Sequence, residues 1–119
     1  MKQLAAGLVL VFALFHGIAT APWLTQPRDP EAGPDELILR VPRWARIYWL
    51  TASVIAVVGA VMLALDGWTG FALAAFGMAE ICVMAVMNGV WMKGRPTISH
   101  HAVRFAIAAA ILALAASSI

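Results

Sequence analysis

The amino-acid sequence predicts an all-α fold, a polytopic membrane protein built as a bundle of four transmembrane helices, on three observations. Hydrophobic residues make up 63% of the 119 and charged residues 12%, whereas a soluble domain is nearer half apolar. The apolar residues gather in four runs, at positions 4–21, 47–65, 69–92 and 102–119, each reaching or approaching the roughly 20 residues that cross a hydrocarbon core of about 30 Å. All five tryptophans, Trp23, Trp44, Trp49, Trp68 and Trp91, fall at or near the ends of those runs, where an amphipathic ring prefers the headgroup zone. A soluble chain of this size has too little interior to hide four such runs from water. A single membrane domain, 1–119, is the expectation.

The first run follows Met1, Lys2 and Gln3 and ends near Ala19, Thr20 and Ala21, which imitates a cleavable secretory signal. Pro22 would stand just past the cut, so the run is read as a retained helix. Positions 22–46 hold Pro22, Pro27, Pro30, Pro34 and Pro42, which leave no room for a long helix. One short turn is expected from Pro34, with Asp35 and Glu36 at the positive end of its dipole and Leu37, Ile38 and Val41 against the membrane, until Pro42 stops it. Asp66, Gly67 and Trp68 form so tight a connection that the second and third helices must be antiparallel neighbours. The fourth helix is expected to start at Ser99. Ala52, Ala56 and Ala60 on the second helix, and Ala102, Ala106, Ala109, Ala110 and Ala113 on the fourth, recur at spacings that let helices approach closely.

Charge sets the expected orientation. Arg28, Arg40, Arg43, Arg46, Lys93, Arg95 and Arg104 fall in or beside the first and third loops, against Lys2 alone on the other side. Basic short loops stay in the cytoplasm, so both termini are read as non-cytoplasmic, in what is taken as a bacterial inner membrane. The net charge of +2 is small and the basic residues sit beside apolar runs, which points to membrane lipids as partners and away from nucleic acid. Cys82 is the only cysteine and lies within an apolar run, which excludes an intramolecular disulfide or a thiolate metal cluster. Neither a cofactor nor a metal site is expected.

Glu80 is the sharpest chemical signal, because a carboxylate facing lipid at mid-membrane costs several kcal/mol, about 2.5 to 3.5 for an Asp on insertion scales. It is therefore expected to face protein or water, and desolvation favours its neutral acid. His16 lies about 5 Å from the midplane on the basic side and, by the rise of 1.5 Å per residue, is level with Met84, while Thr20 is level with Asn88. Contact between His16 and Glu80 is reachable if the first and third helices touch. Leu73, Gly77, Glu80, Met84 and Asn88 share one face of the third helix, and the second helix brings Thr51 and Ser53 to the depth of His16. A polar pocket opening toward the basic side, with Glu80, His16, Asn88, Met84, Thr20, Thr51 and Ser53 as proton- or ligand-binding candidates, stands against a plainer reading. In that one each hydroxyl bonds its own helix backbone and Asn88 ties two helices.

Lys93, Arg95, His100, His101 and Arg104 form a basic cluster. Adjacent histidines diverge by about 100° on a helix and chelate poorly, so the cluster is read as an orientation signal and a seat for anionic lipid headgroups. Three functional classes follow. The leading one is a proton- or cation-linked transporter or channel working as a homo-oligomer through Glu80. The alternatives are an accessory subunit of a larger membrane complex and, more weakly, a lipid-modifying enzyme needing His16 and Glu80 as an acid–base pair.

Overall fold

A computed structural model describes all 119 residues. It is all-helical, with α1 at Lys2–Thr20, α2 at Arg43–Leu65, α3 at Gly67–Lys93 and α4 at Ile98–Ser117. Each helix is long and apolar enough to cross a membrane, and together they form the four-helix membrane bundle that the sequence predicts. α2, α3 and α4 begin before the apolar runs that announce them. Helical hydrogen bonding carries on through interfacial residues such as Arg43, Trp44 and Arg46 that hydropathy alone leaves out.

The tightest seam joins α2 to α3, and its cause is legible residue by residue. Asp66 alone links the two helices, closing α2 through its N–H and opening α3 through its carbonyl, which accepts from the Gly70 N–H at 3.1 Å. Along the seam a Cβ on Gly77 would lie 2.6 Å from the Ala56 backbone nitrogen, and Cβ atoms on Gly59 and Gly70 would collide with the backbones of Ala74 and Leu63. Only residues without a side chain allow this approach, which replaces lipid contacts with close backbone packing. Ala52, Ala56 and Ala60 are buried in the same seam. α4 departs from the expected pattern. Ala102, Ala106, Ala109, Ala110 and Ala113 are exposed, and Ala108, Ile111 and Ala115 face the bundle instead. Only 22% of its apolar window is buried, against 44% for α1 and α3, so α4 is the loosest member.

The loops at 21–42 and 94–97 share one end of the bundle, called here the basic end. α3 stops at Gly94, whose φ of +73° is the left-handed conformation that glycine adopts freely, with its N–H bonded to the Val90 carbonyl. Thr97, two residues before the expected Ser99, is the N-cap of α4. In the long loop a short 3-10 segment spans Pro34–Arg40. Its Val41 neighbour does not lie against the membrane as expected; it is fully buried with Ala45 and Met84. The loop is fastened by arginines whose guanidinium groups donate to backbone carbonyls. Arg46, with no exposed surface, reaches the carbonyls of Val41, Trp23 and Gln26, the last at 2.8 Å. Arg40 donates to the Ala32 carbonyl and, at 3.1 Å, to the Met92 carbonyl in the last turn of α3. A proline-rich loop exposes carbonyls that no N–H along it can satisfy, and a guanidinium carries five donors.

Candidate functional site

The candidate residues divide into three settings. Thr20, Thr51 and Ser53 each donate a hydroxyl proton to the carbonyl four residues earlier, at 3.0, 2.9 and 3.0 Å, from His16, Ile47 and Trp49 respectively. Their hydrogen bonding is met inside their own helices. Met84 is buried in the small cluster with Val41 and Ala45.

Glu80 forms the second setting, and the structure corrects the expectation that it joins the interior face. Gly77, Met84 and Asn88 are buried, but Glu80 is half-buried on the flank of α3, where it accepts a hydrogen bond from the exposed Tyr48 hydroxyl of α2 at 2.6 Å. The reason lies in the helical angle. The buried residues of α3 run from Gly70 and Ala74 through Met78, Ile81 and Ala85, and at about 100° per residue Glu80 falls at the margin of that arc. His16 is not brought to Glu80. Its ring packs on Phe12 and Phe15 of its own helix, with centroids at 4.5 and 5.3 Å, and on Trp49 at 6.1 Å. The pairing of His16 with Glu80 raised by the sequence does not form.

The third setting lies at the basic end, where the four helices leave two adjoining cavities. One is an apolar groove of about 370 Å³ between α1 and α4, walled by Leu8, Val11, Phe15, Val103, Ile107 and Ile111 and closed at one end by His16, His100 and Arg104. The other is a chamber of about 150 Å³ whose polar walls are Trp49, Asn88, Lys93, His100, His101 and Arg104. His100 and Arg104 belong to both. Arg104 Nη1 donates to His101 Nδ1 at 3.1 Å and Nη2 to His100 Nε2 at 3.0 Å. The rings of these adjacent residues, with centroids 5.7 Å apart, thus converge on one guanidinium. A guanidinium only donates, so the two nitrogens facing it are acceptors. No Asp or Glu lines either cavity, and the positive charge of Arg104 and Lys93 has no acidic counterpart there.

Four buried side-chain atoms lack a hydrogen-bond partner in the protein: His16 Nε2, Trp49 Nε1, and the Nδ2 and Oδ1 of Asn88. All four belong to residues that line the groove or the chamber. Each unpaired buried polar group costs about 1 to 3 kcal/mol. Asn88 is 1% and His16 5% exposed, so any partner must itself be held inside the wall. His16 Nδ1 lies 2.8 Å from the Phe12 carbonyl, which can only accept. Nδ1 therefore carries the proton, and Nε2 of the neutral ring is an acceptor.

Lys93 and Arg95 are exposed beside this end, and His101 is buried. The sequence signals Asn88, His16 and Arg104, but it leaves Trp49 among the headgroup tryptophans and gives Tyr48 no role. One clue was available: Trp49, Ala52, Ser53 and Ala56 lie on one face of α2 at three-to-four spacing. Comparison with protein-family models, with curated proteins and with solved structures finds no match to this chain. Fold and site together define a class, a small polytopic membrane protein of four helices, and its function is argued from the geometry alone.

Proposed function

We propose that the protein binds an anionic amphiphile drawn from the bilayer, with the apolar part in the groove between α1 and α4 and the charged part against Arg104. One observation carries this reading: the apolar groove and the polar chamber share Arg104 and His100. Tail and head can thus meet at one guanidinium. The cationic lining replaces a cation with an anion as the favoured solute. Orientation by the basic loops puts the chamber at the cytoplasmic face, where anionic lipids supply such ligands. Native mass spectrometry of protein released from mixed micelles tests the reading. Anionic phospholipid should be retained over phosphatidylcholine of the same chains, and Arg104→Gln should abolish the preference. Equal retention of both lipids by the wild type would overturn it.

A second reading retains the proton- or cation-linked homo-oligomer, and Glu80 favours it. A carboxyl at mid-membrane on an outer flank, bonded only to an exposed tyrosine, is costly in lipid. Its cost falls when a second copy, or another subunit of a membrane complex, covers that flank. Detergent-solubilised protein should then run as a discrete oligomer that Glu80→Leu dissociates, and pH-dependent flux in proteoliposomes should fall to background in Glu80→Gln. A wild-type monomer without flux would exclude it.

A further inference from the structure

We infer that the head of the bound amphiphile is a phosphodiester bearing free hydroxyl groups, of the phosphoglycerol kind, with the phosphate at Arg104 and the hydroxyls donating to Asn88 and His16. The inference rests on the amphiphile reading above and narrows it to a chemical class.

The unpaired atoms narrow the choice. Trp49 Nε1 and Asn88 Nδ2 are donors and require acceptors, which phosphate oxygens supply. Asn88 Oδ1 and His16 Nε2 are acceptors and require donors. A bare phosphate monoester or a carboxylate offers acceptors almost alone, and would leave the second pair unmet. A trimethylammonium head brings no hydrogen-bond donor and sets a cation beside Arg104. A phosphodiester to a polyol satisfies both pairs at once. The His16 and Trp49 rings lie 6.1 Å apart, so the residue at the groove's end neighbours a wall of the chamber. From His16 to Leu8, eight residues along α1, the groove follows the helix for about 12 Å. That length accepts the upper part of an acyl chain and leaves its end in the bilayer.

The test compares two lipids of equal charge. Dioleoyl phosphatidylglycerol and dioleoyl phosphatidylmethanol carry the same phosphodiester and chains, and only the first has hydroxyls. In native mass spectrometry of the full chain, phosphatidylglycerol should be retained about tenfold more strongly, the size of one to two added hydrogen bonds. Asn88→Leu and His16→Phe should each shrink that ratio without raising phosphatidylcholine retention. Equal retention of the two anionic lipids by the wild type overturns the inference while the amphiphile reading stands. Retention of neither above phosphatidylcholine overturns both. Free glycerol phosphate is the third probe. If it protects the wild type against thermal unfolding as fully as the lipid does, the ligand is a soluble phosphate ester and the lipid assignment fails. Should trapped water satisfy the same atoms, both lipids dissociate alike, which again overturns the inference. The wild-type comparison needs no variant to fold.

Discussion

Tyr48 of α2 donates its hydroxyl proton to Glu80 of α3 at 2.6 Å, on the flank of the seam and not within it. The pair ties two helices that already pack backbone to backbone. Tyr48→Phe is expected to cost about 0.6 kcal/mol, the usual worth of a hydrogen bond between membrane helices, measured as unfolding in a mixed-micelle denaturant titration. A loss of several kcal/mol would show that the pair organises the fold.

The seam itself is expected to be unforgiving. At Gly70 a Cβ would run into the Leu63 backbone, whereas around Gly7 nothing lies within 4 Å. Gly70→Val should cost more than the about 1 to 3 kcal/mol typical of an overpacked core, because backbone cannot rotate aside. Gly7→Ala should leave the melting temperature unchanged or slightly raised. Similar melting temperatures for the two variants would contradict this packing.

Arg46 is expected to behave as a fastener of the long loop. Its guanidinium serves three carbonyls from a fully buried position, and hydrogen bonds to charged groups contribute about 1.5 to 3 kcal/mol each. Arg46→Met keeps much of the volume, removes the donors, and should destabilise by at least about 3 kcal/mol while exposing positions 24–33 to protease. Unchanged proteolysis would mean that the prolines alone hold the loop.

Orientation is checked by fusions. Alkaline phosphatase joined after Ile119 should be active and a cytoplasmic fluorescent reporter dark, given the asymmetry of basic residues about the runs. The reverse pattern would put the chamber on the other face.

The fold was legible because lipid imposes a coarse rule that length and apolarity express directly. The site was legible only in part. Depth could be computed from rise per residue alone, which is why His16 is expected level with Met84 and Thr20 level with Asn88. Azimuth could not be. Whether Glu80 or Cys82 turns inward depends on where the neighbouring helix sits, and that was decided by Gly59, Gly70 and Gly77, whose role is the absence of a side chain. The arginines were ambiguous for another reason. A basic loop residue reads the same in sequence whether it serves only as an orientation signal or, like Arg46, binds three carbonyls.

Photolabelling tests the shared groove and chamber most directly. An anionic phospholipid with a diazirine in the upper part of one acyl chain would be irradiated with the protein in bilayers and the adducts mapped by mass spectrometry. Adducts are expected to concentrate on Val11, Phe15, Val103 and Ile107, which line the groove, and to fall away in Arg104→Gln. Labelling spread evenly over those positions and over Val54, Val58, Val61 and Phe76, which are exposed elsewhere on the bundle, would contradict a specific amphiphile site.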